Sequence, residues 1–336
     1  MFALPALFAL FNNKSSRKTW WAVGVAFSLL IGFRYEIGED WSTYVDNYSN
    51  ISNLQLIDAI AQNDPGFALL NWVSALVGGE IYLVNLVCGA IIMIGIITFS
   101  RRQLQPWLAL VVSVPYLIIV VSMGYTRQGA AIGFELLAIV AIIDGNIIRY
   151  FLFIVLAALF HKTAVVLLPL GLITIESRNR VWQRLLLAGI AMWVALILAF
   201  EHYEGMMDKY VNLKMQSDGS KIRVLMNAIP GVLLLLFRKK ILPDDKTEEK
   251  FWILIAVISL FCVPLEVFAS TAVDRMALYF IPLQMYMFSR LNLLVADMLI
   301  NVISVLILYG FILWVWLTYG NYAYAWVPYK SLLFYE

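Results

Sequence analysis

Arg34, Arg127, His161, Arg223 and Arg275 each stand at the end of an apolar segment of this chain. Guanidinium forks grip phosphate and carboxylate oxygens two at a time, and an imidazole moves a proton near neutrality. Residues of these types at helix ends are suited to holding an anion and transferring a proton beside it. Local alternatives exist for three of them. Arg34 is followed by Glu36, Glu39 and Asp40, with which it could pair, and Asp274-Arg275 reads equally as a neighbouring ion pair. His161, beside Lys162 and Thr163, reads equally as a hydrogen-bonded turn residue. Arg127 is the hardest to explain locally, because a cation opening a helix opposes the helix dipole unless an anion arrives to use both.

The elements that position these residues are membrane helices. The chain has 336 residues, of which 62% are hydrophobic and 14% charged, with a mean hydropathy of +0.83. A composition this apolar describes an all-α, polytopic transmembrane bundle, because every backbone polar group inside lipid must be paired within its own helix. Apolar runs place spans near Trp20–Phe33, Glu80–Phe99, Trp107–Met123, Gln128–Ile143, Tyr150–Phe160, Thr163–Ile175, Leu185–Phe200, Val224–Phe237, Phe251–Ala269, Met276–Ser289 and Val295–Thr318, about eleven in all. Met1–Phe11 has neither a basic leader nor a cleavage site and reads as an abbreviated helix, not a signal peptide.

The connecting segments alternate in charge. One set carries Lys14, Arg17, Lys18, Arg101, Arg102, Arg149, Arg178, Arg180, Arg184, Arg238, Lys239, Lys240, Lys246, Lys250 and Arg290, and the positive-inside bias makes that set cytoplasmic. The other set is residues 34–65, 124–127, 161–162, 201–223, 270–275 and the tail after Thr318, which therefore face outward. The cations singled out above all belong to this outward set, where the bias predicts few.

Within the outward segment, Asn50–Asn63 has an apolar stripe suited to an interfacial helix. Asp64-Pro65-Gly66 then breaks the chain before Phe67–Val77, which is too short to cross and reads as a re-entrant half helix. Trp20, Trp21, Trp107, Tyr319, Tyr322, Tyr324 and Trp326 read as interfacial anchors. Cys88 and Cys262 lie in apolar runs and read as inert packing residues. No repeat or linker divides the chain, so a single domain over residues 1–336 is expected.

A net charge of +2, with basic residues scattered between spans, excludes a nucleic-acid groove. His161 and His202 are far apart, and the sequence has no HExxH, DxD, Walker, GxGxxG or GxSxG pattern. Metal-independent chemistry on a diphosphate fits better, because several charged oxygens justify several guanidiniums and a polyprenyl diphosphate puts its head where these helix ends lie. The aromatic and acidic segment Tyr35–Tyr48, including Tyr35 and Tyr44, suits sugars.

Six short motifs carry a resemblance. Gly32-Phe33-Arg34-Tyr35-Glu36-Ile37-Gly38-Glu39-Asp40-Trp41 with Tyr44, Pro65-Gly66-Phe67, Thr126-Arg127-Gln128-Gly129-Ala130-Ala131, Phe160-His161-Lys162-Thr163-Ala164, Asp274-Arg275-Met276 and Trp326-Val327-Pro328-Tyr329-Lys330 together resemble the EpsG-like family of Wzy-type exopolysaccharide, capsule and O-antigen polymerases. Where this chain has Glu39, the family commonly has a small residue or Thr, so the resemblance implies no role for that residue.

The resemblance implies a relation to C-type glycosyltransferases and growth of a glycan from undecaprenyl-diphosphate-linked repeat units at the periplasmic face of a bacterial inner membrane. It implies no cofactor and no essential metal. The implied partners are lipid-linked donor and acceptor glycans, membrane lipids, a chain-length regulator and the repeat-unit flippase. Within that reaction Arg127, Arg223 and Arg275 are expected on the diphosphate, with Asp274 beside them and Arg34 as a second-site or acceptor-phosphate contact. His161 is the expected base and Asp40 the second candidate. A lipid-linked oligosaccharide flippase and a membrane acyltransferase using His161 are the competing readings.

Overall fold

The computed structural model describes residues 2–11, 15–62, 64–174, 189, 217 and 219–334. The span expected over Leu185–Phe200, the basic residues Lys14, Arg178, Arg180 and Arg184, His202 and most of the 201–223 segment lie outside the described residues. Among the described residues the elements are helical, and the chain forms an isolated antiparallel bridge between Arg34 and Ser331. Five of the helices are long and apolar enough to cross a membrane.

In chain order the helices are α1 (Ala3–Leu10), α2 (Arg17–Gly32), α3 (Trp41–Ser52), α4 (Leu56–Ile60), α5 (Pro65–Leu76), α6 (Glu80–Ser100) and α7 (Pro106–Gly124). They continue with α8 (Thr126–Ile143), α9 (Ile147–Phe160), α10 (Lys162–Thr174), α11 (Ser220–Leu236), α12 (Lys246–Phe288) and α13 (Met298–Tyr319). The five long apolar ones are α6, α7, α8, α12 and α13. Hydrophobic runs locate most helix starts and ends to within a few residues, because a segment in lipid has little choice but to be helical.

The exceptions have local causes. Residues 50–63 are not one interfacial helix: α3 starts earlier, at Trp41, and ends where Asn53 Nδ2 and Ser52 Oγ both donate to Ser49 O, each at 2.8 Å. Side chains that bond the backbone in this way compete with helix continuation. The two spans expected on either side of residues 270–275 are joined in α12, whose helical path is interrupted at Ala269. A straight helix of 43 residues would run about 65 Å, roughly twice the hydrocarbon core, so the break at Ala269 is what lets the chain turn back. Arg290, just past α12, donates to Glu248 in its first turn at 3.4 Å, so the two halves are antiparallel. The middle of α7 is a π-helical stretch, Val114–Val121, in which Pro115 cannot donate to the regular ladder.

Small residues set the tightest helix contact. A Cβ added at Gly133 of α8 would lie 2.7 Å from Ile92 Cα of α6, so this pair approaches backbone to backbone. Such close packing is how membrane helices associate without a hydrophobic driving force between them. Trp20 stacks on Trp107 at 4.0 Å and Trp107 on Phe8 at 4.6 Å. Trp20 and Trp107 are buried. They therefore pack the joint of α1, α2 and α7 and are not anchors at a lipid interface.

The ends of the bundle separate as the loop charges suggest. At one end Arg102 grips Asp144 through both carboxylate oxygens at 2.8 and 2.7 Å, and Arg290 donates to Gln103 at 2.6 Å. At the other the C-terminal tail folds back on residues 33–38: Tyr35 N donates to Lys330 O at 3.0 Å, Gly38 N to Ala325 O at 2.9 Å, and Lys330 Nζ to Glu36 at 2.7 Å. Gly38 has φ of +99° and its Cα faces Met123 O and Gly124, a position only glycine fills without strain. Trp326 is buried in this cap and donates to Ile119 O at 2.9 Å, so it too is a packing residue.

Candidate functional site

At the tail-capped end lies a cleft of about 490 Å³. The approach to α3 supplies Glu39 and Asp40, and α3 itself Tyr44. Tyr116 of the π stretch, Tyr125, and Arg127 and Gln128 at the start of α8 form the floor, with His161 from the break between α9 and α10. Arg223 comes from α11, and Asp274 and Arg275 from the second half of α12. The remaining wall is α13 and the tail, with Ile312, Val315, Trp316, Tyr319, Tyr322 and Trp326.

Of the residues singled out in the sequence, Asp40, Tyr44, Arg127, His161, Arg223, Asp274 and Arg275 line this one cleft. Arg34 and Tyr35 do not. Arg34 is fully buried, donating to Ile31 O at 2.7 Å, Asn85 Oδ1 at 3.0 Å and Thr126 Oγ1 at 2.7 Å. It ties the end of α2 to α6 and to the residue preceding Arg127, and its partners are neutral groups, not the nearby carboxylates. Its guanidinium is buried and does not line the cleft, so the acceptor-phosphate role expected for it has no support in this geometry. Tyr35 sits edge-on to Trp41 at 6.2 Å, with Lys330 Nζ 6.0 Å from its ring, outside the cleft lining.

The three guanidiniums differ in what they already hold. Arg223 donates through Nε and Nη2 to Asp274, the Nη2 bond being 2.6 Å, and Nη2 also reaches Ser217 Oγ at 2.7 Å. Its Nη1 lies 3.4 Å from Tyr116 OH. Asp274 is therefore the partner of Arg223 and not of its neighbour Arg275. Arg127 donates through Nη1 to Asp64 at 2.9 Å and sits over the rings of Tyr44 at 5.8 Å and Phe67 at 5.9 Å. Arg275 is exposed, and among the described residues its guanidinium has no hydrogen bond or ion pair. Among the described residues, Arg275 and one face of Arg127 are the cleft cations a ligand can engage without displacing a carboxylate.

His161 is buried, and neither ring nitrogen has a hydrogen-bond partner among the described residues. Burial pushes its pKa below 6.5, and Arg127 and Arg275 push the same way, while Asp64 opposes them. The imidazole is therefore neutral at pH 7, the form that accepts a proton. Burial also raises the Asp40 carboxyl above its usual range, against the pull of Arg127 and Arg275. Glu39, for which the resemblance implies no role, lines the cleft, and its carboxyl is likewise raised by burial.

Asp64 was legible in the sequence as a chain breaker before Pro65 and nothing more. It is buried behind the cleft, with its Oδ2 on Arg127 and its Oδ1 accepting from Lys162 N at 3.1 Å. His161 Nδ1 is 3.9 Å from Oδ2, an electrostatic contact beyond hydrogen-bonding reach. Burial raises this carboxyl, but the His161 ring, Arg127 and the Lys162 N–H together outweigh that and hold its pKa below the usual value. A sequence signal existed, since an acid outside a predicted cytoplasmic loop and next to a helix break has few neutral uses.

Compared with known families, residues 18–331 match the model described as the EpsG family. No curated protein and no solved structure matches the chain.

Proposed function

The chain belongs to the EpsG family, a Wzy-like polymerase family of membrane proteins, and on that premise we propose that it polymerises polyprenyl-diphosphate-linked oligosaccharide repeat units by glycosyl transfer, as one integral-membrane domain with a C-type glycosyltransferase-like bundle of about eleven spans. The cleft faces the periplasm from a bacterial inner membrane, opposite the arginine-rich end. Undecaprenyl diphosphate is the carrier that fits the family.

The observation that carries this reading is the convergence of Arg127, Arg275, His161 and Asp40 on one cleft, with both His161 nitrogens without a hydrogen-bond partner among the described residues. An acceptor sugar hydroxyl attacks the anomeric carbon of the donor, a new C–O bond forms, and the bond to the diphosphate breaks with its electrons leaving on the phosphate oxygen. Neutral His161 accepts the hydroxyl proton, with Asp40 as the second candidate. Arg127 and Arg275 bind the leaving diphosphate more strongly as its charge grows, which is the condition for lowering the barrier. Arg223, already compensated by Asp274, contributes the shape of the wall. Tyr44, Trp316, Tyr319 and Tyr322 offer ring faces to sugars, while Ile222, Ile312 and Val315 suit the first isoprene units. A chain-length regulator and the repeat-unit flippase are its expected partners in the membrane.

The test is reconstitution. The purified protein in lipid, given a defined undecaprenyl diphosphate repeat unit and no nucleotide sugar, is expected to yield a ladder of products spaced by one repeat. Translocation of the substrate with no ladder would replace this reading with a flippase.

A further inference from the structure

Asp64 is the N-cap of α5, the position at which an aspartate ordinarily accepts a hydrogen bond from the first turn of its own helix. Here it does not: its side chain makes no capping bond. The carboxylate instead turns away from α5 and joins two other elements, taking Arg127 Nη1 of α8 at 2.9 Å and the backbone N–H of Lys162 at 3.1 Å. Those two bonds tie together two parts of the cleft lining, because Arg127 lines the cleft and Lys162 immediately follows His161, which also lines it.

We propose that Asp64 is a positioning residue for transfer, which from behind the cleft holds Arg127 and the His161 segment in register and supplies the counter-charge for His161 when that ring takes up the acceptor proton. The inference rests on the polymerase reading above. Asp64 lies outside the cleft lining, so it touches no substrate and acts only through Arg127 and His161.

The charge arrangement shows why a counter-charge is needed. Among the described residues the charged groups acting on His161 are Asp64 ahead of α5, Arg127 at the start of α8 and Arg275 on α12. Two of these are cations, and a buried ring between them would resist becoming an imidazolium. Asp64, 3.9 Å from Nδ1, is the one anion of the three. With Nδ1 on the Asp64 side, Nε2 is the nitrogen left for the acceptor hydroxyl. Arg127 gains as well. An arginine with one Nη tied to a buried carboxylate presents its other donors in a fixed direction, and a positioned cation stabilises developing charge without reorganising.

The experiment reads His161 directly. The chain has two histidines, His161 and His202, so in a His202→Gln background histidine labelled with 13C and 15N gives one titrating imidazole. In lipid nanodiscs Asp64→Asn is expected to lower the His161 pKa by roughly one unit or more, since an opposite charge within about 4–6 Å is worth that much. In the reconstituted assay the same variant should lose turnover by about a hundredfold with lipid-substrate binding changed far less. An unshifted titration overturns the proposal, and so does a shifted titration with wild-type turnover. Should Asp64→Asn fail to fold, Asp64→Glu carries the test: an extra methylene displaces the charge, and wild-type titration with wild-type turnover in that variant overturns it. Failure of the polymerase reading looks different, because the wild-type protein would then form no ladder while its titration still responded to residue 64.

Discussion

Asp274 gives its carboxylate to Arg223 on α11 and leaves its chain neighbour Arg275 without an ion-pair partner among the described residues. Adjacent residues on a helix point about 100° apart, so a pair that looks local in sequence is geometrically poor, whereas a residue on a packed neighbouring helix can face the carboxylate squarely. The consequence is a division between one arginine that holds the wall together and one that is open to a ligand.

That division is measurable. Arg223→Ala leaves a largely buried carboxylate unpaired and should destabilise the protein by roughly 3 kcal/mol, while Arg275→Ala should change stability by no more than about 0.5 kcal/mol. Thermal unfolding in nanodiscs checks both. The double variant Arg223→Met with Asp274→Leu should recover most of the loss, and equal melting of Arg223→Ala and Arg275→Ala would show that the pair does not stabilise the wall.

Arg127→Ala should reduce ladder formation by at least about a hundredfold with insertion intact, because a fixed cation beside developing phosphate charge is worth several kcal/mol. Lys at this position should rescue only part, since it cannot hold Asp64 and a phosphate oxygen with one planar fork. Full turnover of Arg127→Ala at limiting lipid-linked substrate would reduce the residue to a structural ion-pair partner.

For His161 the sign of the pH dependence follows from its environment. Burial lowers its pKa below 6.5, so the ring is a neutral base across the physiological range and single-turnover transfer should be flat above pH 6.5 and fall on acidification through the depressed pKa. The same depressed value makes the folded state lose stability as pH falls, because the unfolded chain takes up the proton first. His161→Gln should slow transfer and abolish the acid limb. A wild-type pH profile in that variant would remove His161 from the proton-transfer step and promote Asp40.

Cys88 and Cys262 are buried and free, which makes accessibility mapping practicable. Asp46→Cys on α3 should be labelled by a membrane-impermeant thiol reagent from the periplasmic side, and Asp245→Cys before α12 only after the inner membrane is opened. Labelling in the reverse order would turn the cleft toward the cytoplasm and away from flipped lipid-linked substrates.

Helices and ends were legible in the sequence because both are set locally. A run of apolar residues in lipid must satisfy its own backbone by coiling, and basic loops sort to one side one at a time, so α6, α7, α8 and α13 could be read from composition and spacing alone. The family motifs likewise singled out Arg127, His161 and Arg275 in chain order. What no local rule supplies is which charged group meets which. Arg34 stands in the most motif-rich segment and is consumed by Asn85 and Thr126, on two other helices. Asp64 looks like the punctuation before a proline, yet it meets Arg127, 63 positions away, and Lys162, 98 positions away. Trp326, a candidate lipid anchor by type, closes the cap because the tail returns to residues 33–38. Each of these outcomes is a competition between partners brought together only when the helices pack, and in a low-dielectric bundle the winner is set by distance and direction, quantities that a one-dimensional pattern does not contain.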